Sequence, residues 1–376
     1  MASPPEGYSF VLRKNLYDLV LSRAIGSDFI LFGLLFPVLR HSGGRGEMRV
    51  PVNMWYRNLP AAAIPIVGRK CDLVYSWNHV PSGKSPWVLD HEYLFSLTGY
   101  NIAAALRFSP VIERELRDEK CRSIICPTNL SHRLLTKSFG MSSLKSKAVV
   151  INRAVRPRVR GQIESKDKLT LIFIGTMNEP GAFHTKGGKE AVEAFKRLRK
   201  KRNDVRLVVR SDVPPYLRKD YNQVDGLTIV DRALSRGEFD FLLSESSLAV
   251  LPMHTTPTSA FLDAMGCGIP VMTTDEMANG ELVEHGKTGI VVPAPRSLPT
   301  IEEMVADPTK VRRWEKMVLG THWDVVESLA SSIESILEHR NEVKMMGALS
   351  RQEVSHGRFS VGFRNSKMSR LFDSAI

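Results

Sequence analysis

The sequence is poor in cysteine and lacks a long apolar run. Its most apolar stretch, Phe29–Leu39, holds 11 residues. A membrane-spanning helix needs about 20, so we expect a buried strand or helix there. The segment Met1–Gly7 is polar and Pro-rich, which does not fit a signal peptide. The 4 cysteines show neither the paired spacing of a zinc site nor a dense disulfide framework, which favours a reducing cytoplasm. They are Cys71, Cys121, Cys126 and Cys267.

Two signatures of phosphate and acyl chemistry are also missing. The sequence has no Gly-x-x-x-x-Gly-Lys-Ser/Thr phosphate loop. It has no Gly-x-Ser-x-Gly nucleophile elbow either. Their absence disfavours P-loop nucleotide hydrolysis and α/β-hydrolase activity.

Positive charge is concentrated in the first part of the chain. The formal net charge is +12 at pH 7. Residues 1–155 hold 20 Lys and Arg against 11 Asp and Glu, whereas the remainder holds 32 against 29. This asymmetry predicts an anionic partner for the first part, namely a membrane surface, a phosphorylated acceptor or nucleic acid. A solvated basic face without a partner is an equally good interpretation. Nucleic acid is the weakest of these alternatives, because it rests on net charge without a recognisable binding module.

Apolar runs alternate with amphipathic stretches along the 376 residues, which are enough for two domains. This alternation predicts an α/β protein with largely parallel sheets. Gly- and Arg-rich residues 40–54 are predicted to form a loop. The predicted strands are Phe29–Leu35, Asp72–Tyr75, Trp87–Leu89, Ser123–Cys126, Ala148–Ile151, Leu169–Ile174, Val205–Val209, Leu227–Val230, Leu248–Leu251, Ile269–Met272 and Ile290–Val292. The predicted helices include Tyr93–Leu106, Val111–Glu119, Leu130–Phe139, Lys189–Leu198 and one through Val326 and Leu337.

The stretch Val250–Pro293 carries the strongest local pattern. A strand ends at Pro252, a polar loop follows, and a helix through Asp263 stops at two glycines before the next strand. A helix that begins just beyond the carboxyl end of a strand directs unpaired N–H groups and its positive dipole end toward one spot, which suits a phosphate. Thr258 and Ser259 are predicted to cap this helix or to bind the anion themselves.

This stretch resembles the nucleotide-sugar site of the glycosyltransferase group 1 family, the retaining enzymes of GT-B architecture. The family pattern is Glu, seven residues, Glu-Ala-Met-x-x-Gly-x-Pro-Val, and then a Gly-rich loop. This chain has Asp-Ala-Met-Gly-Cys-Gly-Ile-Pro-Val from Asp263. It differs at both acidic positions, since Asp263 replaces the second Glu and Thr255 replaces the first.

The resemblance implies two Rossmann-like domains that face a cleft. Residues 1–155 are then an acceptor domain, residues 156–168 a linker, and residues 169–355 a nucleotide-sugar-binding domain. Residues 356–376 include a helix that returns to the first domain. The match at the exit of the first domain is partial, because Arg153-Ala154 stands where the family has Gly.

A second family feature follows the strand Leu169–Ile174. The family has Gly-Arg-Leu after this strand and Lys-Gly further on, and both basic residues bind the donor diphosphate. Here Gly175 is followed by Thr176 in place of the Arg, and Lys186 precedes two glycines. Lys186 is therefore the one cation that the matched motifs offer to the diphosphate. By itself, the Lys-Gly-Gly turn would be read as a solvated surface turn.

The resemblance assigns roles to several further residues. Asp263 would accept hydrogen bonds from the donor ribose, and Thr255 or His254 would contact the sugar. His91 follows a short strand where the family often has a histidine beside the transferred sugar, although a structural histidine with one hydrogen bond fits equally well. Val230 and Asp231, at a strand end, would hold the base through backbone groups.

These observations predict a glycosyltransferase of glycan biosynthesis that moves a sugar from a nucleotide-sugar to a glycan, lipid or small-molecule acceptor. Because no Asp-x-Asp occurs, we expect a metal-independent reaction without metal ligands, and without a cofactor, since the nucleotide-sugar is a substrate. We expect a cytoplasmic protein, with peripheral contact at an anionic membrane face as an option. One alternative is a degenerate homologue that binds a nucleotide-sugar or a protein partner without turnover. The other is an RNA-binding protein that uses its basic first domain.

Overall fold

A computed structural model describes residues 72–78, 80–81, 85–158, 169–177 and 181–376. The predicted strand Phe29–Leu35, the apolar run around it and the predicted loop at residues 40–54 lie outside the described residues. The predicted linker also lies outside them, apart from residues 156–158.

The first sheet has four parallel strands that pair in chain order. All four residues of its second strand, Trp87–Asp90, are buried, as expected for a parallel strand covered on both faces. The four predicted strands in this region are confirmed, with ends shifted by up to two residues. The strands are β1 (Val74–Trp77), β2 (Trp87–Asp90), β3 (Cys121–Cys126) and β4 (Ala148–Val150).

The helices of the first domain differ from the prediction in one respect. The predicted helix Tyr93–Leu106 is two elements, a 3₁₀ helix at Leu94–Thr98 and α1 at Ile102–Arg107. Gly99 and Tyr100 have φ of 65° and 63°, and this left-handed conformation interrupts the helix. The remaining helices are α2 (Ser109–Arg117) and α3 (Asn129–Arg133), followed by a π-helical turn at Leu134–Ser138 and a 3₁₀ turn at Ser142–Leu144.

The second sheet has six parallel strands in the order β10-β9-β8-β5-β6-β7. Its predicted strands are confirmed, although β9 begins two residues later than expected because Pro270 has no N–H for the strand ladder. The strands are β5 (Leu169–Ile174), β6 (Val205–Arg210), β7 (Leu227–Val230), β8 (Leu248–Leu251), β9 (Val271–Thr274) and β10 (Gly289–Val292).

Helices cover this sheet and continue to the end of the chain. The apolar spacing that predicted the helix Lys189–Leu198 is confirmed, since its side chains at spacings of three and four are buried. The helices are α4 (Ala182–Thr185), α5 (Gly188–Arg199), α6 (Pro215–Tyr221), α7 (Arg236–Ser244), α8 (Thr258–Gly266), α9 (Asn279–Leu282), α10 (Ile301–Ala306), α11 (Thr309–Met317), α12 (Trp323–Glu338), α13 (Arg340–Ser355) and α14 (Val361–Ala375).

The strand order of the second sheet creates a crevice. From β5 the chain first moves outward through β6 and β7, then returns to the other side of β5 and continues through β8 to β10. The loops after β5 and β8 therefore diverge at the carboxyl edge of the sheet. Such a topological switch point is where doubly wound sheets bind ligands.

The hydrophobic cores do not coincide with the predicted domain boundaries. Ile301, Met304 and Val305 of α10 belong to the core of the first domain. The predicted unit 169–355 therefore contributes one helix to the other domain.

Four residues of α14 pack against three residues at the first sheet: Met368, Leu371, Phe372 and Ala375 against Val88, Ile125 and Ile151. Within the described part of the chain, no helix has both the length and the apolar character that a membrane crossing requires.

Candidate functional site

A cavity of about 420 Å³ lies at the carboxyl edge of the second sheet, beside the switch point. The ends of β5 and β6, the start of α7 and the start of α8 surround it. Four of the residues at its wall are basic. The lining residues are Arg158, Ile174, Gly175, Thr176, Lys186, Arg210, Leu234, Ser235, Arg236, Phe239, Pro257, Ser259, Ala260 and Asp263.

Gly175 allows the floor of this cavity to form. A Cβ at this position would lie 2.1 Å from Oγ of Ser211, which follows β6. Only glycine permits the two strand ends to approach so closely. Gly175 and Thr176 line the cavity as predicted from the sequence.

The turn that carries Lys186 is fixed against the loop after β8. Gly187 has φ of +74°, and a Cβ there would lie 2.0 Å from the carbonyl oxygen of Pro252. His254 donates its backbone N–H to the carbonyl oxygen of Thr185 over 3.1 Å. In this arrangement Nζ of Lys186 donates to Oγ1 of Thr255 over 3.1 Å. The structure thus brings together two residues that the sequence assigned to the diphosphate and to the sugar.

We expect Gly187→Ala to lower the free energy of unfolding by about 1–3 kcal/mol, because the new methyl group meets a backbone carbonyl at a strained φ. Urea denaturation followed by circular dichroism measures this loss. Gly237→Ala is the matched control, because a Cβ on Gly237 has nothing within 4 Å and alanine favours a helix interior. Equal stability of the two variants would contradict the close approach of the Gly187 turn to Pro252.

Arg210 is a cation of the cavity that sequence reasoning missed. It is the last residue of β6, and its Nη1 donates to the carbonyl oxygen of Gly175 over 3.3 Å. Its guanidinium lies 5.6 Å from the ring centre of Phe239, and burial lowers its pKa below the ordinary value. Among the described residues it forms no ion pair with a carboxylate, so it presents positive charge to the cavity. The signal in the sequence was an Arg at the carboxyl end of a strand next to β5.

Arg158 is a second missed cation and comes from the segment predicted to be a linker. Its Nη2 lies 2.5 Å from Oδ1 of Asp263, and its guanidinium also pairs with Asp240. Asp263 therefore lines the cavity as predicted, but its carboxylate is bound to Arg158. A ribose would have to compete with this ion pair or share it.

The start of α8 meets the cavity as predicted, without the predicted cap. Pro257 occupies the N-cap position, and no side chain caps this end. Thr258 and Ser259 thus do not cap the helix, since they lie within its first turn. Ser259 lines the cavity, and the nine-residue helix directs its positive dipole end toward it.

Six residues predicted for the site do not line the cavity, namely His91, Val230, Asp231, His254, Thr255 and Thr258. Val230 and Asp231 end β7 away from the cavity wall, and Asp231 pairs with Arg218. The wall is formed instead a few residues later, from Leu234 to Arg236. His91 is fully buried, and its Nδ1 lies 3.0 Å from the carbonyl oxygen of Ile125. Burial lowers the pKa of His91 to about 4, so it is neutral at pH 7 and has the contacts of a structural histidine.

His254 lies behind the cavity wall. It is buried, with Nδ1 at 3.0 Å from Oε2 of Glu276 and Nε2 at 3.9 Å from Oε2 of Glu190. Burial opposes its protonation, but the two carboxylates outweigh burial and raise the pKa of His254 to about 9. His254 therefore supports the Thr255 loop from inside the domain.

Comparisons with known proteins agree with this geometry. Residues 168–307 match the model of the family described as "Glycosyl transferases group 1". A chitobiosyldiphosphodolichol beta-mannosyltransferase of Debaryomyces hansenii is 36% identical over 78 residues, which are 19% of this chain and 16% of that protein. This chain thus matches about one sixth of the length of that relative.

Solved structures share the architecture at low sequence identity. HepE of Anabaena in complex with UDP and glucose is 14% identical, with a TM-score of 0.52 over 77% of this chain and 72% of that one. Sucrose-phosphate synthase of Thermosynechococcus elongatus is 14% identical, with a TM-score of 0.54 over 77% and 68%. The predicted resemblance and the predicted GT-B fold are confirmed, with residues 168–307 as the part of the chain that matches the family model.

Proposed function

We propose that the chain transfers a sugar from a nucleotide-sugar to an acceptor, with retention of anomeric configuration and without a metal or cofactor in the reaction. The observation that carries the proposal is the set of cations at the switch-point cavity. Lys186 and Arg210 come from two separate segments and converge on one space at the end of β5. A nucleoside diphosphate is a ligand that suits such charge.

The diphosphate gains negative charge as the bond from its oxygen to the anomeric carbon breaks. Cations already in place stabilise that charge without reorganising during the reaction. Lys186 and Arg210 fit this role, because their charges face the cavity. In the mechanism that the family resemblance implies, the acceptor oxygen bonds to the anomeric carbon on the face that the diphosphate leaves. The acceptor proton then passes to the departing diphosphate, and the protein holds both substrates in place.

The relatives support a nucleotide-sugar as the donor. HepE has been solved with UDP-glucose as well as with UDP and glucose. We place the nucleoside against Leu234 and Phe239, the apolar residues that α7 and the loop before it contribute to the cavity wall.

A thermal-shift screen of the full chain against UDP-, GDP- and ADP-sugars tests the proposal, because a ligand that binds only the folded state raises the melting temperature. We expect one of these donor classes to raise it and to be hydrolysed slowly in the absence of acceptor. Absence of any shift with all three classes, together with absence of hydrolysis, would refute the proposed donor site.

A non-hydrolysing binder is the second candidate, and two contacts favour it. Thr255 has no charge to act on the sugar, and it accepts a hydrogen bond from Lys186. The carboxylate of Asp263 is already paired with Arg158. A donor that raises the melting temperature but is neither hydrolysed nor transferred would favour this candidate over the enzyme.

We further propose a cytoplasmic location with peripheral contact at an anionic membrane face, supported by the excess of basic residues in residues 1–155. We expect the chain to co-sediment with anionic liposomes at low salt. Binding should weaken as salt rises, because the Debye length shrinks from about 10 Å at 0.1 M to about 3 Å at 1 M. Neutral liposomes are the control. Equal binding to both kinds of liposome, or binding to neither, would refute the proposed contact with an anionic membrane.

A further inference from the structure

A buried cluster of potential metal ligands lies next to the cavity but outside its wall. Glu190 is in the first turn of α5, His254 is in the loop after β8, and His322 immediately precedes α12. Their side chains are 1%, 1% and 6% exposed. One oxygen or nitrogen atom from each lies within 4.8 Å of those of the other two.

The two imidazole rings present the same unpartnered atom to this cluster. Nε2 of His254 and Nε2 of His322 are both buried without a hydrogen-bond partner. A buried polar atom left in this state costs free energy comparable to a lost hydrogen bond. The rings pack edge to face with their centres 5.1 Å apart.

The opposite nitrogen of each ring faces a polar side chain. Nδ1 of His254 lies 3.0 Å from Oε2 of Glu276, and Nδ1 of His322 lies 3.4 Å from Oγ of Ser297. A carboxylate on Nδ1 fixes the tautomer of a neutral imidazole so that the lone pair is on Nε2. This carboxylate–histidine pair is the usual second layer of a zinc site.

The carboxylates of the cluster need a counter-charge, which is either a proton on His254 or a metal ion. Glu190 and Glu276 are both largely buried, and within the described residues neither forms an ion pair with a lysine or arginine. Two buried carboxylates near each other are unfavourable unless positive charge compensates them. A divalent ion among Glu190, His254 and His322, with Glu276 behind His254, would neutralise both.

We propose that Glu190, His254 and His322 bind a zinc ion through Oε2, Nε2 and Nε2, with a water molecule as the fourth ligand. The ligand set of two imidazoles and a carboxylate suits Zn²⁺. Tetrahedral zinc ligands at about 2.0–2.1 Å from the metal lie about 3.3 Å apart. The 3.9 Å between His254 and Glu190 and the other separations, all within 4.8 Å, must therefore shorten when the ion binds. The ion lies behind the cavity wall and takes no part in the chemistry there.

The site would hold three segments in place. Glu190 is four residues after Lys186, and His254 is next to Thr255, so the ion ties both loops that meet in the Lys186–Thr255 contact. His322 adds the start of α12, which packs on α5. This set does not form a recognisable motif in the sequence, because its three ligands are separated by 64 and 68 positions.

The test uses the full chain expressed in zinc-supplemented medium and dialysed against a weak chelator. Elemental analysis should find about one zinc per chain, and stronger chelation should lower the melting temperature, which zinc then restores. His322→Gln should weaken zinc affinity at least about a hundredfold and abolish the effect of zinc on the melting temperature. Glu276→Gln, which removes only the carboxylate behind His254, should weaken zinc affinity about 10–100-fold. His356→Gln, at an exposed histidine, is the control and should retain the metal.

Cobalt substitution gives a second measurement that does not depend on the stability of the variants. Wild-type protein loaded with Co²⁺ should show the visible absorption of a four-coordinate site with nitrogen ligands. Zinc retained equally by His322→Gln would place the metal elsewhere. Wild-type protein without bound zinc, and with a melting temperature that zinc does not change, would mean that a proton on His254 alone compensates the carboxylates, and the site would be refuted.

Discussion

Lys186→Ala should weaken binding of a nucleoside diphosphate about tenfold to a hundredfold. Hydrogen bonds to charged groups contribute about 1.5–3 kcal/mol, and each 1.4 kcal/mol is a factor of ten in affinity. Lys186 lines the cavity, and its turn is fixed by the contact of Gly187 with Pro252. Isothermal titration calorimetry with UDP, GDP and ADP measures the change.

Arg210 determines the nucleotide affinity that remains after the Lys186→Ala substitution. Since Arg210 also presents charge to the cavity, binding by the Lys186 variant should be weakened rather than abolished. The double variant Lys186→Ala/Arg210→Gln should bind more weakly than either single variant.

Lys189→Ala is the matched control for Lys186→Ala. Lys189 is three residues away on α5, and its Nζ donates to the carbonyl oxygen of Leu319 over 2.7 Å. It does not line the cavity, so its removal should change nucleotide affinity little. The same affinity in the Lys186 variant and in wild type would place the diphosphate elsewhere.

The elements that could be predicted from the sequence depend on local patterns. The apolar runs at β5 and β8 and the glycines after Asp263 mark strand, helix and turn without knowledge of the fold. Gly175, Lys186 and Ser259, which the sequence assigned to donor binding, lie at the cavity wall. The strands, the helix and the turn could be predicted because each depends on residues close together in the chain.

Two basic residues of the cavity wall, Arg158 and Arg210, could not be predicted in this way. Arg210 reaches the cavity only because β6 pairs with β5, and Arg158 only because the segment after the first domain turns toward α8. Both facts are properties of tertiary structure. His91 shows the converse, because its position after β2 suggested a ligand, whereas the packing of the first domain encloses the ring completely.

Arg153 is a departure from the family pattern that the structure explains. The family has a glycine at this position, and in this chain Nη1 of Arg153 lies 2.6 Å from Oδ2 of Asp90. The side chain of Asp90 is 5% exposed, and it also accepts a hydrogen bond from the hydroxyl of Tyr75. Arg153 after β4 is thus the ion-pair partner of Asp90 at the end of β2, and the positive charge of the buried Arg364 also acts on Asp90.

Arg153→Met should therefore lower the free energy of unfolding by about 3–5 kcal/mol, since it leaves a buried carboxylate without its partner. Urea denaturation measures this loss, and methionine keeps much of the side-chain volume so that the lost charge dominates. The double variant Asp90→Asn/Arg153→Met should recover part of the loss, because it removes both charges. The double-mutant cycle then gives the coupling free energy of the pair.

Arg114→Met is the control, since Arg114 is 75% exposed beside Glu115, and such a pair contributes about 0–1 kcal/mol. A loss for Arg153→Met no larger than that of the control would show that solvent, rather than Arg153, compensates Asp90.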